Sequence, residues 1–330
     1  MNIQKEAVSA IGNFSQTTGV LKRYTGNPVL TPADMPVPCC AVYNSGVIKT
    51  NAGDYIMASR FERPSKEQLT WISRSKDGYQ FTPDPEPMSF KCLPEEQEEF
   101  DAATKMAGPG IGTWWDPRLN QVEKEYYITY AAVSADGCRI GLGRVDAAFK
   151  TSRHVSFPHH IENRNAVLFP EKIKGEYWML HRPSREDDGK IWISSSPDLK
   201  YWGNTRVVAR GENYWENRKI GPGAPLVKTE QGFLTVYHGV FTHCSGINYG
   251  IGVMLLDLEQ PWKVVARAKD PILYVSEPYE MIGQVPNVIF PGGVIPEKDG
   301  TVKVYYGAAD YVQCLATGKF RDLIDFCFKG

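Results

Sequence analysis

The sequence predicts an all-β fold, a five-bladed β-propeller with one short helix at its C-terminal end. Three observations predict it. A strand that ends in a small polar turn recurs five times, each copy follows a strand rich in Tyr and β-branched residues, and each of those follows a third, apolar strand. Helical periodicity is convincing only near residues 320–328. Five units of antiparallel strands are typical of a propeller.

The turn pattern is the most regular of the three. Its copies read WISRSKDGYQF from Trp71, IGLGRVDAAFK from Ile140, IWISSSPDLKYW from Ile191, IGVMLLDLEQPW from Ile251 and, more weakly, CLATGKFRDLIDF from Cys314. In the first four copies an Asp follows the strand, where its side chain can cap the turn: Asp77, Asp146, Asp198 and Asp257. The spacing of these residues varies too much for a solenoid of identical units, but it fits blades that carry different insertions.

The other two strands of each unit have the composition of β-structure. The strands before the turns read DYIMASRFE, YYITYAAV, YWMLHRPS, FLTVYHGVF and VKVYYGAAD, and the strands before those read AVYNSGVIK, TWWDPRLNQVE, RNAVLFPEKIK, GAPLVKTEQ and NVIFPGGVIPE. A β-sandwich, which also has many short strands between turns, is the alternative. A three-strand motif repeated five times favours the propeller. We expect residues 1–330 to form a single catalytic domain.

The charge balance excludes several classes of partner. The chain has 330 residues, 42% of them hydrophobic, with 37 basic and 38 acidic residues and a formal net charge of −1. No global field therefore attracts nucleic acid or an anionic membrane, and we predict neither as a partner. The acidic run PEEQEEFD, around residues 95–101, is typical of a solvated loop.

The N-terminus and the cysteines give two further expectations. The segment MNIQKEAVSAIGNFSQTTGVLKRY lacks an apolar stretch after a basic start, and no run approaches the roughly 18 apolar residues of a membrane span, so we predict a cytoplasmic protein. Seven cysteines without paired CxxC motifs predict neither a disulfide framework nor a zinc site. No metal is expected.

Polar residues recur at equivalent points of the predicted strands. In a propeller the first strand of each blade lines the central channel, so these side chains should converge on one pocket. The first strands contain Asn44, Asp116, Arg164, Lys219 and Asn287, and the second strands contain Arg60, Arg182, His238 and Asp310. A charged side chain in an apolar strand is costly to bury without a partner, which indicates a function for the group.

Four of these residues are basic. Any one of them, taken alone, is more typical of a solvated ion pair or a hydrogen-bonded core histidine. Placed together around one axis, however, Arg164, Arg182, Lys219 and His238 would repel one another unless an anion joined them. Phosphate fits, because it accepts paired hydrogen bonds from guanidinium and a point-charge contact from ammonium.

Asp116 is the candidate for chemistry. Its neighbours Trp114 and Trp115 are expected to shield the carboxyl from water, which favours the protonated form that a general acid needs. The alternative is that Asp116 only caps the turn before Pro117. An inverting glycosidase would need a second carboxylate roughly 6.5–9.5 Å away to activate water. Phosphate arrives already charged, so one acid and one anion site would complete an inverting displacement.

The motifs also resemble those of a known family along nearly the whole chain, from Asn27 to the C-terminal helix. The series YNSG, SRFE, WDPR, NRNAVLFPEKI, LHRPS, KIGPG, YHG, VPNVIFPGG and YYGAAD is similar to that of glycoside hydrolase family 130, the inverting β-mannoside phosphorylases and their relatives. The resemblance implies a five-bladed propeller that phosphorolyses β-mannosides and releases α-mannose 1-phosphate. Its partners would be a β-mannoside oligosaccharide and phosphate, which is a co-substrate, and it would need no cofactor.

The resemblance also implies roles for single residues. Asp116 would be the general acid, acting through the 3-hydroxyl of the mannose. The phosphate-binding residues would be Arg164, Arg182, Lys219, His238 and Tyr249. The substrate-binding residues would be Asn44, Ser45, Arg60, Trp115 and Asp310.

Some segments depart from the family pattern. Trp115 precedes the acid where a Tyr is common, and the segment FERPSKEQL and the insertion over residues 95–112 are unusual. Both segments are expected to shape the site for the leaving sugar, so glucose, mannose and N-acetylglucosamine stay open. Two other functions also stay open: an inverting β-mannosidase on the same fold, and a propeller that binds oligosaccharide without catalysis. Exposed strand edges make a homo-oligomer possible.

Overall fold

The computed structural model describes residues 18–65, 67–104, 114–135, 137–160, 162–184, 189–243 and 246–329. The strands of these residues form five sheets, antiparallel except for one short pair, which confirms the predicted five-bladed propeller. The N-terminal strand β1 (Leu21–Arg23) belongs to the last blade. Blade 1 contains β2 (Ala41–Lys49), β3 (Tyr55–Glu62), β4 (Gln68–Ser75) and β5 (Thr82–Pro83).

The next two blades follow in chain order. Blade 2 contains β6 (Ser89–Lys91), β7 (Trp114–Val122), β8 (Glu125–Ser134), β9 (Gly137–Val145) and β10 (Thr151–Ser156), where β6 pairs parallel with β10. Blade 3 contains β11 (Asn163–Leu168), β12 (Tyr177–Pro183), β13 (Ile191–Ser196) and β14 (Gly203–Ala209).

The last two blades are less regular. Blade 4 contains β15 (Lys219–Pro222), β16 (Val227–Lys228), β17 (Phe233–His243), β18 (Gly246–Leu256), β19 (Val264–Arg267) and β20 (Leu273–Tyr274). Its inner strand was predicted over GAPLVKTEQ, residues 223–231, but begins earlier and has two parts, β15 before this segment and β16 within it. Pro225, between the two parts, cannot donate to the ladder. Blade 5 contains β21 (Ile289–Pro296), β22 (Thr301–Ala308) and β23 (Val312–Lys319), and β1 pairs antiparallel with β23.

The core is divided among the five junctions between blades. Each of five clusters of buried apolar residues joins two neighbouring blades: for example, Ile72 of blade 1 packs with Leu119 of blade 2, and Val42 of blade 1 packs with Leu315 of blade 5. The other clusters join blades 2 and 3, 3 and 4, and 4 and 5. The ring is therefore closed by packing as well as by strand pairing.

The four predicted Asp turn caps are confirmed. Each carboxylate accepts a hydrogen bond from the backbone N–H two residues later in the chain and at least one more from further along. Examples are the bonds from Tyr79 to Asp77 at 2.8 Å and from Lys200 to Asp198 at 2.9 Å. Asp146 and Asp257 make the same kind of turn. These bonds fix the turn that follows the third strand of blades 1–4.

Three α-helices are present among the described residues: α1 (Gln97–Thr104), α2 (Pro278–Met281) and α3 (Phe320–Cys327). The C-terminal helix was predicted. The acidic run, by contrast, forms part of α1 and is not a solvated loop, because Phe100, Ala103 and Thr104 share one face of the helix and are buried. No helix within these ranges combines the length and the apolar character needed to cross a membrane.

Candidate active site

The inner strands of blades 1, 2 and 3 bulge at an equivalent point near the end of the channel. The pairing register shifts after Tyr43, after Trp115 and after Arg164. The next residue, Asn44, Asp116 or Asn165, has a positive φ of 49°, 49° or 60°. Asn and Asp tolerate this left-handed conformation, and a bulge re-aims the side chain it carries. The fold therefore places three polar side chains at matching positions of three blades.

This register corrects one detail of the sequence alignment. Arg164 was grouped with Asn44 and Asp116, but the residue equivalent to them is Asn165, and Arg164 is equivalent to Trp115. Asn165 was missed as a site residue. Its place in the motif NRNAVLFP could have indicated it, because Asn165 lies two residues before Val167, where regular strand pairing resumes.

Asp116 belongs to a compact hydrogen-bonded group. The side-chain amide of Asn44 donates to Asp116 Oδ1 at 3.1 Å and to Asp310 Oδ1 at 3.3 Å. Arg60 forms an ion pair with Asp116 at 3.5 Å and donates from Nε to Gln68 at 2.8 Å. The structure thus brings together four residues that lie on three blades, as the repeat predicted.

The two tryptophans beside the acid have different surroundings. The Arg60 guanidinium lies 4.1 Å from the centre of the Trp115 ring and 4.8 Å from the centre of the Tyr43 ring. Trp114 stacks instead on Phe90 at 4.9 Å and joins the core between blades 1 and 2. The expectation that both indoles shield the carboxyl was therefore wrong for Trp114, because neighbouring residues of a strand point to opposite faces.

Ser45 is not brought to this group. Its side chain is fully buried, and its hydroxyl donates to Ser59 at 2.7 Å within blade 1. The bulge turns Asn44 into the channel and leaves Ser45 facing the blade.

Asp310 carries a perturbed carboxyl. Burial, reinforced by the negative charge of Asp116, raises the pKa of Asp310 to about 6, although Arg60 and the Asn44 amide oppose the shift. Asp310 lies just after β22 with a φ of 48°. Asp310 and Asp116 therefore share one amide donor, and the negative charge of Asp116 is one cause of the raised pKa of Asp310.

The basic residues gather on blades 3 and 4. Arg164 and Arg182 lie directly opposite each other on β11 and β12. Arg164 donates to Ser184 at 2.9 Å, and Arg182, only 7% exposed, donates to Asn165 Oδ1 at 3.0 Å. Within the described residues neither arginine has a carboxylate partner, and the Nε of Arg182 has no acceptor. Burial and the nearby Arg164 lower the pKa of Arg182 to about 10.

Lys219 and His238 complete this group. Burial, with Arg182 and Arg164 close by, lowers the pKa of Lys219 to about 8. His238 is 1% exposed, its Nδ1 has no partner in the described structure, and burial beside Arg182 and Lys219 lowers its pKa well below the usual value. His238 was grouped with the cations, but it therefore contributes a neutral imidazole. A Cβ at Gly221 would lie 2.5 Å from the His238 ring and 2.9 Å from Arg182 Cδ, so only glycine fits between them.

Tyr249 closes the group from the neighbouring strand. Its ring stacks on His238 at 5.9 Å between centroids, and Lys219 Nζ lies 5.9 Å from its centre. Burial raises the pKa of the Tyr249 phenol to about 12, so it remains a neutral donor. Its backbone N–H donates to the carbonyl of Asn287 at 3.1 Å, which links blades 4 and 5 at this end of the channel.

The site therefore has two halves with different chemistry. The acid half holds Asp116 and Asp310 with Asn44 and Arg60. The cation half holds Arg164, Arg182 and Lys219, with no carboxylate among the described residues paired to any of them. Clustered, partly buried cations without a counter-ion favour an anionic ligand.

Arg118 is a second residue that the sequence did not single out. It follows Asp116 in the WDPR motif, is 1% exposed, and donates to backbone carbonyls on four blades. Its guanidinium is buried among the inner strands and bonds backbone oxygens.

Comparisons with known proteins show the family of the chain. A sequence model of the family described as beta-1,4-mannooligosaccharide phosphorylase matches residues 15–329. The beta-1,4-mannooligosaccharide phosphorylase of Ruminococcus albus is 32% identical over 313 residues, covering 93% of this chain and 90% of its own. The 1,2-beta-oligomannan phosphorylase of Thermoanaerobacter sp. is 33% identical over 314 residues, covering 92% and 98%.

A solved structure of a relative has the same fold. The beta-1,2-mannobiose phosphorylase of Listeria innocua, in complex with beta-1,2-mannobiose, superposes with a TM-score of 0.78 at 27% identity, covering 93% of this chain and 99% of that one. The family model and the relatives together define a glycoside phosphorylase. The chain belongs to glycoside hydrolase family 130.

Proposed function

We propose that this protein catalyses inverting phosphorolysis of a β-mannoside, giving α-mannose 1-phosphate and a sugar shortened by one unit. The observation that carries the proposal is the division of the pocket: one carboxyl group set beside Asn44 and Arg60, and a group of cations that has no carboxylate partner among the described residues. An acid and an anion site are what a phosphate nucleophile requires.

Phosphate is proposed to bind in the cation half. Arg164 and Arg182 supply guanidinium donors, Lys219 supplies a point charge, and Tyr249 and neutral His238 supply further hydrogen-bonding groups. Burial, together with mutual repulsion, lowers the pKa of Arg182 and Lys219 in the free protein, and phosphate binding relieves the repulsion. Phosphate binding thus offsets part of the free-energy cost of burying these cations close together.

The mannosyl unit is proposed to lie against Asn44, Arg60, Trp115 and Asp310. A phosphate oxygen bonds to the anomeric carbon from the face opposite the leaving sugar while the glycosidic C–O bond breaks. Asp116 supplies the proton that the leaving oxygen takes, by way of the 3-hydroxyl of the mannosyl unit as the family resemblance implies. No protein base is needed, since phosphate is already an anion.

The leaving sugar is the remaining variable of the reaction. The relatives' names give β-1,4- and β-1,2-linked mannose units. We propose mannose, glucose and N-acetylglucosamine as the acceptors to compare. In the synthetic direction, a panel of these sugars supplied with α-mannose 1-phosphate identifies the acceptor and the linkage from the disaccharide formed.

The phosphate dependence of cleavage tests the reaction. Purified protein is incubated with β-1,4-mannobiose and, separately, with β-1,2-mannobiose, with and without inorganic phosphate. We expect mannose 1-phosphate from at least one substrate and only when phosphate is present. Equal cleavage in phosphate-free buffer, with free mannose as the product, would identify a β-mannosidase instead. Saturable binding of both disaccharides without turnover would identify a non-catalytic propeller.

A further inference from the structure

Arg118 is a buried cation whose partners are all neutral. Its guanidinium donates from Nε to Gly223 O at 2.6 Å, from Nη2 to Pro291 O at 3.2 Å, and from Nη1 to Asn44 O, Pro117 O and Asp116 O at 2.9, 3.0 and 3.3 Å. No carboxylate among the described residues forms an ion pair with it. Burial lowers the pKa of Arg118 only to about 10, so it stays charged at neutral pH.

These acceptors lie on four of the five blades. Asn44 is in blade 1, Asp116 and Pro117 are in blade 2, Gly223 follows the inner strand of blade 4, and Pro291 is in blade 5. A planar guanidinium with five N–H donors can hold so many carbonyls at once, whereas an ammonium cannot reproduce that geometry. Arg118 therefore joins the inner-strand regions of these four blades.

Three of the carbonyls belong to the bulges that carry site residues. Asn44 and Asp116 both have a φ of 49°, a left-handed conformation that few non-glycine residues adopt and that Asn and Asp tolerate. Arg118 binds the peptide oxygens of both residues. The same side chain thus bonds both left-handed residues, whose side chains are hydrogen-bonded to each other.

Arg118 also contacts the support of the cation half. Its guanidinium lies 4.8 Å from the centre of the Phe290 ring, and that ring packs on His238 at 4.7 Å between centroids. Phe290 is thus the side chain through which Arg118 reaches His238, beside the cation half. Arg118 therefore bonds the acid half directly and reaches the cation half only through Phe290.

We infer that Arg118 is a positioning residue for the general acid, fixing the left-handed peptides at Asn44 and Asp116 so that the acid stays in reach of the bound mannoside. The inference rests on the proposed role of Asp116. A misplacement of about 1 Å costs on the order of 100-fold in rate. Its loss should therefore appear in kcat, because the residues proposed to bind phosphate keep their own side chains.

The test compares Arg118→Lys with Asp116→Asn, with the double variant and with Arg23→Lys. Arg23→Lys is the matched control, since the Arg23 side chain is only 10% exposed but bonds Glu280 of α2, away from the proposed site. We expect Arg118→Lys to lower kcat about 100-fold and to change the KM for phosphate less than about threefold. Arg23→Lys should lower the melting temperature and leave kcat unchanged.

The double variant separates positioning from a general loss of structure. If Arg118 acts through Asp116, adding Arg118→Lys to Asp116→Asn should lower kcat little further, because the interacting pair is non-additive. A multiplicative loss, or a wild-type kcat in folded Arg118→Lys, overturns the inference. If Arg118→Lys does not fold, Arg118→Gln replaces it. Failure of both to fold assigns Arg118 a purely structural role and also overturns the inference.

These outcomes differ from failure of the proposed function. Phosphate-dependent turnover by the wild-type protein is measured first. A wild-type protein without it contradicts the phosphorylase assignment, whereas an active wild-type with an equally active Arg118→Lys contradicts only the role of Arg118.

Discussion

At the scale of single residues, Lys219 and Asp310 occupy positions that oppose their charged forms. Burial and the neighbouring arginines lower the pKa of Lys219 to about 8, and burial with Asp116 raises the pKa of Asp310 to about 6. Both side chains are therefore charged together only between about pH 6 and pH 8. This pH range applies to the protein without phosphate. Bound phosphate should raise its upper limit, because it stabilises the Lys219 cation.

The pH dependence of kcat/KM for phosphate tests this arrangement. The pKa of Lys219 is depressed in the folded protein, so its charge is lost as the pH rises through about 8, and we expect kcat/KM to fall above that pH. Lys219→Arg should remove this alkaline fall, because guanidinium stays charged. An unchanged fall in Lys219→Arg would assign it to another group.

At the scale of elements, the segment before β15 is anchored by two buried residues. Trp215 is fully buried in a slot formed by three glycines, and a Cβ at Gly250 or Gly252 would lie 2.8 or 2.6 Å from its ring. Glu216, also fully buried, accepts from Arg267 at 2.6 Å and Tyr237 at 3.0 Å. Lys219 begins the strand three residues later. We therefore expect the anchor to position Lys219, which is proposed to bind phosphate.

A methyl group in the slot should displace this anchor. We expect Gly252→Ala to lower the free energy of unfolding by about 1–3 kcal/mol through overpacking, and to raise the KM for phosphate several-fold because Lys219 moves with Trp215. Gly203→Ala is the control, since a Cβ there meets nothing within 4 Å. Denaturant unfolding and phosphate kinetics measure both effects. The same result for the two variants would show that the slot does not position Lys219.

At the scale of the whole molecule, the ring is closed by a strand from the other end of the chain. β1 pairs with β23, and Arg23 of β1 makes two hydrogen bonds, at 2.7 and 2.8 Å, to the fully buried carboxylate of Glu280. Tyr306 also donates to Glu280 at 2.9 Å. The closing sheet is thus held by a satisfied buried ion pair in addition to the apolar clusters on either side of blade 5.

Removing one partner of this pair should weaken closure. Arg23→Ala leaves the Glu280 carboxylate buried and unpaired, so we expect a loss of about 3–5 kcal/mol in the free energy of unfolding. Lys76→Ala breaks the exposed pair with Asp54, where Lys76 is 88% exposed, and should cost less than about 1 kcal/mol. Urea titration measures both. Similar small losses would mean that Arg23 does not hold the ring closed.

The sequence by itself determined the five-fold repeat, the Asp turn caps and the residues of the two halves of the site. These features are local: alternation along a strand and Asp-capped turns are properties of a few neighbouring residues. Because every blade repeats them, equivalent polar residues such as Asn44 and Asp116 were visible without coordinates. The family resemblance added Tyr249, which no local pattern indicated.

Only the tertiary structure decided which way individual side chains point. A bulge shifts the pairing of one strand against its neighbour, and a shift of one residue exchanges the two faces of the strand. This is why Asn165 rather than Arg164 matches Asp116, why Ser45 faces the blade, and why Trp114 lies in the core. The role of Arg118 depends on carbonyls from four blades, so it exists only once the strands have converged.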